Sequence, residues 1–154
     1  MSRAVERFRT QAEAAGVTVE VQEFPQGTKT AQDAARAIGC DVAQIVKSLV
    51  FVSGSEPFLA LTSGPNRADT DKLSNLMGGP VRRADADEAR AATGFSIGGT
   101  PPFGHPKRLR VFCDRDLLAH VEVWAAAGTP NTVFPISPSE LLRASGAQEA
   151  DLKE

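Results

Sequence analysis

The strongest constraint on how this 154-residue chain folds is one run, Ile45-Val46-Lys47-Ser48-Leu49-Val50-Phe51-Val52. It is rich in β-branched and aromatic residues, which favour a pleated strand. Side chains alternate between the two faces of a strand, and here both faces are largely apolar, so neither suits water. The run is therefore expected at the centre of a sheet. Ser53-Gly54-Ser55-Glu56 reads as a hairpin connection and Pro57 to Ser63 as the returning strand. Lys47 is the exception in this run, sharing a face with Ile45, Leu49 and Phe51. Its stem could pack while its head reaches water. Otherwise an ammonium in such surroundings needs an anionic partner or a water-filled pocket, and a ligand's phosphate or polarised carbonyl would serve.

Around this hairpin the chain alternates helices and strands. Val5, Phe8, Ala12 and Ala15 recur at helical spacing, with Gly16 as a stop. Val17 to Phe24 alternates like a strand until Pro25-Gln26-Gly27 breaks it. Thr30 is placed to cap a second helix with Ala31, Ala34, Ala35 and Ile38 on its apolar stripe. One further turn is expected at Asp41–Gln44. A helix is expected from Asp69 or Thr70 to Met77, a short strand over Pro80–Arg83, and a helix capped by Asp85 and ending at Gly94. Leu109–Phe112 and Val121–Trp124 read as strands flanking the turn Asp114-Arg115-Asp116-Leu117, and Thr132–Ile136 as the last strand. Ser137-Pro138-Ser139-Glu140 opens a final helix, with Ser at the cap and Glu three residues on. From Gln148 onward the tail is expected to fray. The pattern predicts a mixed α/β fold, a curled and largely antiparallel sheet surrounded by helices, in one domain over residues 1–154.

Composition narrows the class. Hydrophobic residues make up 42% and charged residues 23%, ordinary values for a globular domain. No run approaches the ~18 apolar residues that span a bilayer, and no apolar segment follows the charged start, so no membrane or secretion signal is expected. A net charge of −2 argues against indiscriminate coating of nucleic acid but leaves a local basic surface open. Cys40 and Cys113 lack a CxxC spacing and read as thiols in a reducing, cytoplasmic compartment. With His105 and His120 as the only histidines, no metal site is expected.

A second feature is the loop Gly94-Phe95-Ser96-Ile97-Gly98-Gly99-Thr100-Pro101-Pro102-Phe103-Gly104-His105-Pro106. Glycines let backbone N–H groups approach a ligand closely, and prolines stiffen the chain so the amides stay aimed. A loop of this kind suits a developing oxyanion in ester hydrolysis, although a rigid connection without a ligand would read the same way. It has neither the order of a nucleotide P-loop nor that of a dinucleotide site. No Gly-x-Ser-x-Gly elbow accompanies it. Cys40 follows a helix end, where the dipole disfavours a thiolate. Any hydrolysis is thus expected to rest on electrostatics and positioning.

Val46-Lys47-Ser48-Leu49-Val50-Phe51, followed about fifty residues later by Gly94 to His105, resembles the YbaK/EbsC family. That family includes free-standing relatives of the insertion editing domain of bacterial prolyl-tRNA synthetase. The likeness extends to Thr30–Ala35, to Asn66-Arg67-Ala68-Asp69-Thr70-Asp71-Lys72-Leu73, and to the closing Ala126-Ala127-Gly128 and Ile136–Leu141. It implies a trans-editing deacylase that cleaves the ester of a mischarged aminoacyl-tRNA, typically tRNA for proline. The implied partners are the acceptor end of that tRNA and a prolyl-tRNA synthetase; no cofactor is implied. Lys47 matches the family's essential lysine, which contacts the terminal nucleotide. Gly98 to Pro102, with Gly99 and Thr100 between them, matches the Gly-x-x-x-Pro loop whose amides face the reacting carbonyl. The vicinal ribose hydroxyl, or in some members the substrate's own side chain, assists attack, and the protein supplies no nucleophile.

Phe24, Thr30 and Ser48 are candidate substrate-pocket residues, as are Phe103, Gly104 and His105 of the loop. Core packing of Phe24 and simple capping by Thr30 are the plainer readings of those two. Phe24 stands where the cysteine-specific branch has tyrosine. Around Thr132-Val133-Phe134 there is no match for that branch's functional aspartate. Ser48 replaces the asparagine of the alanine-specific branch. The amino acid removed therefore stays open, with another small aliphatic or hydroxylated residue among the possibilities. Two other functional classes stay open as well: a non-catalytic tRNA- or synthetase-binding module using Arg67, Lys72, Lys107 and Arg108, and a hydrolase of free esters.

Overall fold

A computed structural model describes residues 2–28 and 30–154. The elements run in the order α1 (Arg3–Ala14), β1 (Gln22–Glu23), α2 (Ala31–Ile38), β2 (Val46–Ser53), β3 (Glu56–Ser63), α3 (Thr70–Met77), β4 (Val81–Arg83) and α4 (Ala86–Thr93). They continue with β5 (Arg110–Asp114), β6 (Val123–Ala126), β7 (Thr132–Ile136), α5 (Pro138–Ser145) and β8 (Gln148–Ala150). Single 3-10 turns occupy Val42–Gln44 and Arg115–Ala119. Among the described residues no helix is long and apolar enough to cross a membrane.

The expected mixed α/β architecture is present, but its strands form two sheets instead of one. A three-stranded sheet has the order β1-β7-β6 and a five-stranded sheet the order β4-β2-β3-β5-β8. Four of the pairings between named strands are antiparallel and two, β3 with β5 and β5 with β8, are parallel. A bridge between Ile45 and Trp124 ties the sheets together. The two strands expected either side of Asp114–Leu117 consequently lie in different sheets.

Local chemistry sets the element boundaries. Thr30 Oγ1 accepts the Asp33 N–H at 3.0 Å and caps α2. Asp85 and Glu88 form a reciprocal capping box on α4. Gly39, Gly78, Gly94 and Gly146 close α2, α3, α4 and α5 in the left-handed conformation.

Both faces of β2 are covered. Val46, Val50 and Val52 enter the main core with Phe8, Leu59, Leu61 and Phe134. Leu49 and Phe51 pack into a second cluster with Phe58, Leu73, Phe112 and Leu152. The central strand, however, is β3. On its other side β2 pairs with β4 only over Phe51–Ser53, so the edge at Val46–Leu49 lies outside that ladder.

Two terminal expectations are corrected. Of Val17–Phe24 only Gln22 and Glu23 form a ladder, with β7; Val17 and Val19 satisfy their alternation by burial in the core. The tail does not fray. Gln148–Ala150 runs parallel to Phe112–Asp114, and Leu152 is fully buried. Thr132–Ile136 is therefore not the last strand. The burial of one leucine among charged neighbours anchors the end of the chain, since removing such a side chain from water contributes about 1.5–3 kcal/mol.

Candidate functional site

The unladdered edge of β2 opens into a cleft of about 520 Å³, within the range of small-ligand sites. Its walls come from β2, the start of α2, the tip of the glycine-proline loop, β6 and the segment after β4. Five of the residues expected from sequence line it: Lys47, Ser48, Thr30, Gly98 and Thr100. Lys47 and the loop thus meet across one space.

Lys47 is half-buried, and its Nζ donates to the Asn66 carbonyl at 2.6 Å. Burial, helped by repulsion from Arg83, holds its pKa below the ordinary lysine value, against an opposing pull from Asp114. Ser48 lies on the opposite face of β2, and its hydroxyl is buried without a hydrogen-bond partner among the described residues. Thr30 lines the rim while it caps α2.

The loop is built as a tight turn. Gly98 has φ of +88°, which favours glycine. The Gly99 N–H donates to the Ser96 carbonyl at 3.0 Å, and Thr100 Oγ1 donates to the same carbonyl at 3.0 Å. Among the described residues the Gly98 and Thr100 N–H groups have no protein acceptor. The turn leaves these two donors unpaired, whereas the Gly99 amide is consumed in making it.

The other expected residues lie outside the cleft lining. Phe103 is buried against Phe8 and Phe134, at ring-centroid distances of 5.4 and 5.9 Å. Gly104 packs on Phe8 and Gln11 and borders a separate depression with Phe95, Arg7 and Pro106. His105 is largely buried and donates from Nε2 to the Pro101 carbonyl at 2.8 Å; burial lowers its pKa despite that bond. Pro102 is buried. Phe24 is half-buried, and its N–H donates to the Asn131 carbonyl at 2.8 Å. These residues hold the loop and the turn at 128–131 in place.

Sequence reasoning missed Arg83, Trp124 and Gly64 in the cleft wall. The Arg82-Arg83 doublet was visible, but only the fold separates its members. Arg82 pairs with Glu88 at 2.7 Å, while the Arg83 guanidinium sits 5.5 Å from the centroid of the Phe51 ring at the cleft. Neither thiol suits nucleophilic attack: burial pushes Cys113 up to about 12 and raises Cys40 as well.

A family model described as the aminoacyl-tRNA editing domain matches residues 25–144. The chain is 32% identical over 123 residues to the protein YwhH of Bacillus subtilis, covering 79% of this chain and 78% of that one. It is 31% identical over 107 residues to proline–tRNA ligase of Maridesulfovibrio salexigens, covering 69% of this chain but 18% of the ligase. Among solved structures, a candidate trans-editing enzyme for prolyl tRNA synthetase superposes with a TM-score of 0.96 at 49% identity, over 100% of this chain and 99% of the other.

Proposed function

The chain belongs to the aminoacyl-tRNA editing domain family, and on that premise we propose that it is a deacylase. In this reading it hydrolyses the ester joining a wrongly attached small amino acid to tRNA, with tRNA for proline as carrier. The observation that carries the reading is that Lys47, Gly98 and Thr100 line the same cleft, and that among the described residues the Gly98 and Thr100 N–H groups have no protein acceptor.

The division of labour follows from charge. The Lys47 ammonium meets the phosphate of the terminal nucleotide and holds the ester in place. Water, oriented by the vicinal ribose hydroxyl, adds to the ester carbonyl carbon and forms a tetrahedral oxyanion. The Gly98 and Thr100 N–H groups stabilise that oxyanion; donors held ready for charge that develops only in the transition state raise the rate directly. The ester C–O bond then breaks, the ribose oxygen takes a proton, and the free amino acid leaves. No covalent protein intermediate is required.

Selectivity is steric. Ala31, Ala34, Val46, Ala84 and Ala125 make much of the wall apolar. A single methylene discriminates by only about 1–3 kcal/mol, so exclusion of larger side chains is the main device.

The test is deacylation of a panel of mischarged tRNAs by the protein and by Lys47→Ala. Release of at least one small amino acid, with a loss of about a hundredfold or more in the variant, is expected for a misplaced reacting group. Equal rates would remove Lys47 from the mechanism. Binding of tRNA without turnover by either protein would indicate a non-catalytic module.

A further inference from the structure

The acceptor of the Lys47 ammonium is itself clamped. Asn66 lies in the connection between β3 and α3 and presents its backbone carbonyl to Lys47 Nζ at 2.6 Å. Its side chain points into a different set of partners. Asn66 Nδ2 donates to Asp114 Oδ2 at 2.8 Å and to Asp116 Oδ2 at 2.8 Å. Asp114 is buried and also accepts the Ser63 N–H at 3.0 Å and the Asp116 N–H at 2.9 Å. Asp116 receives the Lys153 ammonium at 2.9 Å. The end of the chain closes over the same connection: the Asp69 N–H donates to the Leu152 carbonyl at 2.7 Å and the Glu154 N–H to the Arg67 carbonyl at 3.0 Å.

We infer that Asn66 is a positioning residue: its carboxamide, held by Asp114 and Asp116 and backed by the C-terminal segment, fixes the carbonyl that aims Lys47 into the cleft. The residue type is specific to the task. One amide nitrogen carries two N–H donors, and here they answer two carboxylates, so a side chain with only acceptors would set three acidic groups against one another. A lysine head on a flexible stem needs such a fixed acceptor, because a misplacement of about 1 Å near reacting atoms can cost roughly a hundredfold in rate. The inference rests on the deacylase reading for its catalytic consequence, but the placement of the ammonium is measurable without any substrate.

The experiment compares the unaltered protein with Asn66→Ala and Asp116→Ala, each labelled with 15N-lysine, using Lys47→Ala to assign the Lys47 resonance. In the unaltered protein the Lys47 Nζ signal is expected to be shifted from the bulk of exposed lysines and slowed in proton exchange. In Asn66→Ala it is expected to move to the bulk position while the fold, followed by circular dichroism, persists. On acylated tRNA, kcat should fall about tenfold to a hundredfold with KM changed less than about threefold, the pattern of lost positioning and not of lost binding. Asp116→Ala removes one exposed arm of the clamp and should show the same changes in smaller measure; it decides the matter if Asn66→Ala does not fold. A Lys47 signal that stays in place in a folded variant, or an unchanged kcat, overturns the inference. Inactivity of the unaltered protein on every acylated tRNA would instead overturn the deacylase reading, and the resonance would still decide where Lys47 is held.

Discussion

Gly99 packs so closely on Thr129 that a Cβ on the glycine would lie 2.8 Å from the Thr129 Cα and 2.9 Å from the Gly128 carbonyl oxygen. Both neighbours are backbone, which cannot swing aside as a side-chain tip would. The loop that presents the Gly98 and Thr100 amides therefore rests on the turn before β7, and that turn is fastened in its own right. The Thr28 hydroxyl donates to the Pro130 carbonyl at 2.6 Å, and Thr129 and Thr132 share a hydrogen bond between their hydroxyls at 2.7 Å.

Gly99→Ala should accordingly push the loop off its seat. Overpacking of this kind costs about 1–3 kcal/mol, and displacing an oxyanion donor costs about a hundredfold in kcat. Gly98→Ala provides the contrast: its Cβ would have room, 3.9 Å from Pro130, and only the left-handed φ is strained, by about 1–2 kcal/mol. Denaturant melts and single-turnover deacylation on both variants check this. A Gly99→Ala protein with unaltered stability and rate would show that the contact with Thr129 does not seat the loop.

His105 is expected to act as a strut and not as a base. Its ring is largely buried, edge-on to Phe95 at a centroid distance of 6.4 Å, and bonded to Pro101. Burial depresses its folded-state pKa, so the unfolded chain takes up the proton first as pH falls. Stability contributed by the neutral ring is full above the unfolded value near 6.5 and is lost as pH falls through it toward the folded pKa. The unaltered protein should therefore lose stability relative to His105→Gln between about pH 7 and pH 5. Equilibrium unfolding across that interval reads the effect; parallel curves for the two proteins would contradict it.

Much of this architecture was legible because local signals and burial agreed. The hairpin of β2 and β3 was marked by its apolar run and by Gly54 in the turn, and four of the five expected helices begin at caps on Thr30, Asp69, Asp85 and Ser137, while Ser2 caps the first. What escaped depends on distant partners. Val17 and Val19 alternate like a strand, but periodicity cannot report that among the described residues no strand pairs with them. Leu152 is a single leucine in a charged tail, and its burial beside Phe58 and Phe112 becomes evident only once β5 offers an edge. At the cleft, the placement of Lys47, Gly98 and Thr100 in one lining could be anticipated from their chemistry. The placement of Phe103, Gly104 and His105 outside that lining could not, because a glycine- and proline-rich loop does not disclose which of its residues face a cleft and which face the core.

Lys47 should carry a stability cost. Its ammonium is partly desolvated and lies near Arg83, so its folded-state pKa is lowered. For a base with a depressed folded pKa, the unfolded state binds more protons between the two pKa values, so stability rises with pH across that window. Below it the folded state bears the full penalty; above the unfolded value near 10.4 the penalty is gone. Lys47→Met keeps the stem and removes the charge. It should therefore be more stable than the unaltered protein near pH 7, and the difference should narrow as pH rises toward about 10. Because the side chain is only half-buried, the gap is expected to stay within about 1 kcal/mol. Urea unfolding at a series of pH values reads this directly, alongside loss of deacylation in the variant. If the methionine protein were less stable at neutral pH, the ammonium would be stabilising through its bond to Asn66, and the fold would gain from the cation it holds in the cleft.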